Sequence, residues 1–436
     1  MNTSHQRSQW YSLLIIGVLY FVFGFITWLN SVLIPFLRDA CQLQDNQAYL
    51  VPFAFYISYF VMSIPSSYLL KKTGFVKGMA IGLLVMAIGS LVFIPAAQQR
   101  DYGIFLIGLF LQGTGLALLQ TAANPYVTIL GPMESAAKRM SIMGLFNKIA
   151  GMIGILFIGK ILFSNMTGVT EQINLLSGEQ QIAELNLLAQ RVIIPYIGIA
   201  AALLLLAVMV LSARLPEVQN EEIHYNEQKK RTIFSFPYMW LGVLAIFLYV
   251  GIEVIAIDTL PLYAESQGIA KGNAALFGTY SLIAFVCGYL LGIVFVPKKI
   301  SQSQALTLSA GFGFVFAVAA LCTSGILSVV FIILLSFSHA LMWPGIWPLA
   351  LDKLGKHTAT ASALLIMAIA GGAVLPLIYG QIATILDKSE WFLHNARQLP
   401  YIILLPCYLY IAYYAVCGHK IGNTITKSNE ETEDVK

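Results

Sequence analysis

Apolar residues in this chain come in long blocks rather than at alternate positions. These blocks are separated by short polar stretches that hold nearly all the charge. A helix needs about 20 mostly apolar residues to cross a bilayer. The pattern predicts twelve membrane helices, near residues 11–37, 47–70, 78–97, 103–130, 140–163, 191–213, 237–264, 272–296, 305–322, 326–351, 360–386 and 398–417. The ninth and tenth are parted only by Thr323-Ser324-Gly325. Strands of a transmembrane barrel alternate polar and apolar side chains, and these blocks do not. The first block is too long for the apolar core of a cleavable leader and shows no small-residue cleavage pattern, so it is expected to persist as the first membrane helix.

Two polar interruptions are longer than a simple loop. Residues 164–190 include Ser177-Gly178-Glu179-Gln180, the pattern of a capping box opening a short helix before the sixth span. Residues 214–236 carry Glu217, Glu221, Glu222 and Glu227 beside Lys229, Lys230 and Arg231, and divide the spans six and six. The expected organisation is an N-terminal half (1–213), a linker (214–236), a C-terminal half (237–417) and a tail (418–436). This plan resembles the major facilitator architecture, an all-α polytopic membrane fold with two pseudo-symmetric halves. Its substrate site lies between the halves near the bilayer midplane.

Composition narrows the class. The chain is 58% hydrophobic and 11% charged, against roughly 45–50% and about 25% in soluble proteins. There is too little charge to cover a water-exposed surface, and too much hydrophobicity for disorder. The net charge is +4 and no basic cluster exceeds Lys229-Lys230-Arg231, so the expected surroundings are lipid bilayer and not nucleic acid. With both termini in the cytoplasm, seventeen loop Lys and Arg face inside and seven outside, the bias that sets cytoplasmic termini. The five cysteines have no regular spacing and predict no disulfide framework.

Ionisable residues within a span are costly and point to function. Of the 21 acidic residues only Glu253 and Asp258 fall inside a span, both on the seventh. Glu253 lies roughly 24 Å along that helix at about 1.5 Å per residue. Each acid is either a structural partner for a neighbouring helix or a carboxylate for a cation or a polar ligand. Lys148 is the one Lys or Arg inside a span and away from its ends. It either snorkels to water or pairs with Glu253 or Asp258. His339 is expected to be hydrogen-bonded or to titrate. The amides of Asn30, Gln112, Gln120, Asn124 and Asn147 need partners or a wet cavity. Trp28, Trp343 and Trp347 stand beside polar residues and offer ring faces, or belong to interfacial belts. Helix breakers gather at Asn124-Pro125, at Gly251 with Pro261, at Pro344 and Pro348, and at Gly371-Gly372 with Pro376. They mark hinges and freed carbonyls around a central site, or plain packing.

The run Leu119-Gln120-Thr121-Ala122-Ala123-Asn124-Pro125-Tyr126-Val127-Thr128-Ile129-Leu130-Gly131-Pro132 resembles a fourth-helix motif of the fucose–galactose–glucose:proton symporter family of the major facilitator superfamily. Leu29 to Pro35, Ala54 to Pro65, Asn147 to Gly151, Tyr249 to Gly251 and Met367 to Pro376 resemble that family's first, second, fifth, seventh and eleventh helices, and the branch most similar is that of bacterial glucose/galactose transporters. The resemblance implies sugar uptake across the bacterial inner membrane by alternating access. Two positions depart from it. Where fucose-type symporters carry an acid on the first and fourth helices, this chain has Ser31 and Gln120. Neither can exchange a proton near neutral pH, so acidic function is expected on the seventh helix, or coupling has been lost. Asn147 matches a sugar-contacting amide, while the glutamine expected three residues earlier is Gly144.

The expectation is a hexose transporter, for glucose or galactose, with no cofactor, driven by a proton or sodium. Substrate contacts are expected from Asn30, Gln120, Asn124, Asn147, Glu253 and Trp343. Glu253 or Asp258 would take the coupling cation, with Lys148 as charge partner. The protein is expected to act as a monomer and not as an enzyme. Alternatives are an L-fucose or amino-sugar symporter, drug efflux, an uncoupled uniporter, a non-transporting sugar sensor and an intramembrane enzyme. Five membrane amides disfavour efflux, and a linker of about 23 residues offers a sensor little signalling domain.

Overall fold

The computed structural model describes residues 3–129, 136–164, 166–212, 232–296, 298–354, 357–387 and 396–422. Among them, twelve helical stretches are long and apolar enough to cross a membrane. In order they are Leu14–Ala40, Asn46–Leu70, Phe75–Gln99, Tyr102–Asn124, Arg139–Leu162, Gly178–Ser212, Pro237–Asp258, Lys271–Phe295, Gln302–Cys322, Gly325–Leu351, Thr360–Asp387 and Leu399–Lys420. The chain is a multi-pass membrane protein, and the described residues contain no strand. Residues 214–231 of the linker expected at 214–236 lie outside the described residues, as does the tail beyond Gly422, and Ile233–Ser235 form a short helical turn before the seventh span.

Several spans are broken where the sequence dictates. The first bends at Leu29, and Ser31 donates its hydroxyl to the Trp28 carbonyl there at 2.9 Å. The seventh stops at Asp258, and a short helix, Leu260–Ser266, continues past Thr259 with Pro261 in its first turn. A proline is tolerated at that position because the first turn has no intrahelical acceptor for its missing N–H. The tenth divides after His339 and resumes as Met342–Leu351. Pro348 has no N–H to give the Pro344 carbonyl. The side chain of Gln302 on the ninth span replaces it, donating to Pro344 at 3.0 Å and to Gly345 at 2.8 Å. The eleventh passes through a tight turn at Ala368–Ala370 before Gly371.

Capping differs from expectation. Ser177 sits at the N-cap before Gly178–Gln190, but its side chain makes no cap hydrogen bond. A complete capping box forms instead at Ser301 and Gln304, opening the ninth span.

One glycine in each half brings two helices together. A Cβ on Gly24 would lie 1.8 Å from the Asn147 carbonyl oxygen, so only glycine lets the first and fifth spans meet there. A Cβ on Gly371 would lie 1.8 Å from the Phe247 oxygen, which fixes the seventh against the eleventh in the same way. The halves meet chiefly where the fifth span packs on the eighth and the second on the eleventh.

Candidate functional site

A cavity lies between the halves, with about 770 Å³ of empty space counting its mouth. The first, second, fourth and fifth spans line one side, and the seventh, eighth, tenth and eleventh the other. The lining runs from Glu253 in mid-membrane to Met140, near the terminus-side end of the fifth span. On the opposite face the halves are tied by ion pairs. Arg38 reaches Glu265 at 2.8 Å, and Asp39 reaches Lys271 at 2.8 Å.

The close approach at Gly24 sets the fifth span beside the first. Trp28 then donates its indole N–H to Asn147 Oδ1 at 2.9 Å. The next residue, Lys148, points to the seventh span and pairs with Glu253 at 2.5 Å. Its ammonium also stands 3.8 Å from the Trp28 ring centre and 4.0 Å from that of Phe285. A carboxylate and two π faces thus surround one buried cation, and cation–π attraction strengthens when water is excluded. Lys148 therefore pairs across the interface between the halves rather than snorkelling.

The remaining polar groups are held by tyrosines. Gln120 donates to the Tyr59 hydroxyl at 3.0 Å, and the Tyr20 hydroxyl donates to Asn124 Oδ1. Tyr56 and Tyr59 stack, as do Phe285 and Tyr289. Trp343 stacks on Trp347 at 5.1 Å and stands 6.4 Å from Tyr249. His339 shares a hydrogen bond of 2.6 Å with Tyr408, outside the cavity lining.

The cavity thus brings together Gln120, Asn124, Asn147, Lys148, Glu253 and Trp343. Two expected site residues lie apart from it. Asn30 is buried at 1% exposure with its amide nitrogen unpartnered, and Asp258 is fully buried. Sequence reasoning missed Tyr20, Tyr56, Tyr59, Tyr249 and Tyr289. Their one signal was a phenol hydroxyl inside an apolar run, which does not by itself separate a wall residue from core packing. Among the described residues no group of three or more His, Cys, Asp or Glu comes together as a metal site.

Chemically the lining offers amides and phenols as donors and acceptors, ring faces for C–H surfaces, and one cation balanced by one anion. A neutral, hydroxylated, partly apolar ligand suits such a site. An ionic ligand would find no unbalanced charge on the wall.

Comparison with known proteins agrees with this geometry. Residues 16–376 match the family model of the Major Facilitator Superfamily. A glucose/galactose transporter of Brucella abortus biovar 1 (strain 9-941) is 33% identical over 96% of this chain and 97% of its own. The L-fucose-proton symporter of Escherichia coli (strain K12) is 31% identical over 83% of this chain and 84% of its own. The crystal structure of the transporter FucP in the outward conformation superposes with a TM-score of 0.73, at 27% identity, over 94% of this chain and 98% of that one.

Proposed function

This chain belongs to the Major Facilitator Superfamily, and we propose that it takes up a hexose, glucose or galactose first, by alternating access coupled to a proton. The carrying observation is the cavity between the halves. Its amides, phenols and indoles surround an ion pair that leaves the wall electrically balanced, which fits a neutral polyol. The likeness to a glucose/galactose transporter supports the sugar class, and the likeness to an L-fucose-proton symporter supports the proton. Gln120, Asn124 and Asn147 would contact sugar from the N-terminal half, and Glu253 and Trp343 from the other, with the seventh-span acids serving coupling. The positive-inside bias supports cytoplasmic termini in a bacterial inner membrane, and nothing in the proposal calls for more than a monomer or for catalysis.

Coupling of this kind is energetically sufficient. One proton crossing about 100 mV releases roughly 2.3 kcal/mol, which sustains about fifty-fold accumulation of a neutral sugar at about 1.36 kcal/mol per tenfold. The test is uptake of labelled glucose into proteoliposomes under an imposed proton or sodium gradient, with galactose and L-fucose as competitors. Proton-driven accumulation that galactose suppresses supports the reading. Accumulation only with sodium, or suppression by L-fucose alone, corrects cation or sugar. Equilibration without accumulation under both gradients would make the protein a uniporter.

A further inference from the structure

The seventh span buries two carboxyl groups beside a single cation. Lys148 is committed to Glu253 at 2.5 Å, with the Trp28 and Phe285 rings closing round the ammonium. Asp258 lies five residues further on, about 7.5 Å along the helix axis. It is fully buried, and neither carboxyl oxygen has a hydrogen-bond partner. The charges that act on it are Glu253, on its own helix, and Lys148, from the fifth span; Tyr56 of the second span is the titratable hydroxyl that senses it. Arg38 and Lys271, on the face beyond, are taken up by Asp39 and Glu265.

One ammonium neutralises one carboxylate. A second carboxylate left buried and unpaired is among the most costly states a membrane interior can hold, and such a group neutralises instead. A metal cation needs several oxygen ligands, and among the described residues no group of three or more His, Cys, Asp or Glu comes together here.

We propose that Asp258 is the group that carries the coupling proton, protonated and occluded in this conformation, while Glu253 stays ionised as the fixed partner of Lys148. This assignment rests on the proton-coupled transport proposed above and divides the labour between its two acids. The step is a plain transfer. Hydronium from water on the face opposite the termini gives its proton to a carboxylate oxygen of Asp258, and after the halves rock the same O–H bond breaks as the proton passes to water entering from the terminus side. The route in is built into the chain. Asp258 is followed by Thr259 and by the short helix whose Glu265 holds Arg38. Parting the Arg38–Glu265 and Asp39–Lys271 pairs frees that helix and opens the carboxyl to water on that face. In this conformation the pairs are made and the route back to that face is shut.

The test compares wild type with Asp258→Asn and Asp258→Glu in proteoliposomes. Three readouts are taken: proton-driven glucose accumulation, glucose-induced alkalinisation of the medium, and exchange of labelled for unlabelled glucose at equal concentrations. Asn keeps the neutral form. Asp258→Asn is expected to lower accumulation from tens-fold to unity and to abolish alkalinisation, while glucose exchange remains measurable. Asp258→Glu, which can still ionise, is expected to accumulate with a shifted pH profile. A coupled wild type beside an Asp258→Asn that still accumulates and alkalinises overturns the assignment alone. So does an Asp258→Glu with an unshifted profile, which decides the matter if Asp258→Asn fails to insert. A wild type that moves glucose but no proton overturns the coupling itself and this assignment with it.

Discussion

The ion pair between Lys148 and Glu253 shows what a single residue does in a dry interface. Both side chains are nearly buried, at 5% and 9% exposure. Removing one partner from a buried pair costs on the order of 3–5 kcal/mol, because the other charge is stranded, whereas removing both is often close to neutral. Lys148→Met and Glu253→Gln are therefore each expected to destabilise the detergent-solubilised protein by a few kcal/mol. The double variant should be more stable than either single one. Thermal unfolding of all four proteins closes this double-mutant cycle, and a double variant as unstable as the sum of its parents would mean that the two residues act independently. Glu253→Gln should also abolish accumulation. Without Glu253, Lys148 draws on Asp258 and holds it ionised. The two charged residues were legible in the sequence because charge stands out in an apolar run. The tyrosines that finish the wall were not, because a tyrosine in such a run passes as an ordinary aromatic.

At the scale of elements, twelve apolar blocks became twelve spans because a hydrogen-bonded helix is how a lone segment satisfies its backbone in lipid. Length and hydropathy were enough to find them. They could not say which way each helix is turned, so Asn30, an amide like Gln120, sits in packing while Gln120 faces the cavity. They also could not say where a helix pauses. The expected seventh span, 237–264, is two helices, and the breakers of the tenth split it after His339. Inside the resumed helix Pro348 leaves the Pro344 carbonyl without its donor, and the replacement is 42 residues away, since Gln302 donates to the Pro344 and Gly345 carbonyls. A lost hydrogen bond that strands a buried acceptor costs about 1–3 kcal/mol. Gln302→Leu is expected to lower stability by about that much and to slow sugar exchange by loosening the helix that carries Trp343. Gln302→Glu cannot donate while ionised and should be no better. Thermal shift and exchange rate measure the two effects, and a Gln302→Leu protein like wild type in both would show that the helix tolerates Pro348 without this donor.

The whole molecule is held in one of its two arrangements by what touches on each face. Here the cavity extends toward the terminus side while Arg38–Glu265 and Asp39–Lys271 close the other face. The side chains of Arg38, Asp39 and Glu265 are only 11–13% exposed, and Lys271 is 29% exposed. Exposed ion pairs contribute up to about 1 kcal/mol each, so about 2 kcal/mol together is the upper figure for two such pairs. That corresponds to a roughly thirty-fold bias toward this conformation at about 1.36 kcal/mol per tenfold. Ser31 reports the change. It is fully buried on the first span, and a Cβ on Gly278 of the eighth span, in the other half, would lie 3.0 Å from its hydroxyl oxygen. In a background with the natural cysteines replaced, Ser31→Cys should react slowly with a membrane-impermeant maleimide applied from the face opposite the termini. Adding Arg38→Gln and Lys271→Gln should raise that rate by tens-fold. The same variants should bind sugar more readily from that face and deliver it more slowly to the other, because the closed state they need for release is no longer favoured. An unchanged labelling rate would mean that apolar packing around the second and eleventh spans closes this face, and that the ion pairs only decorate it.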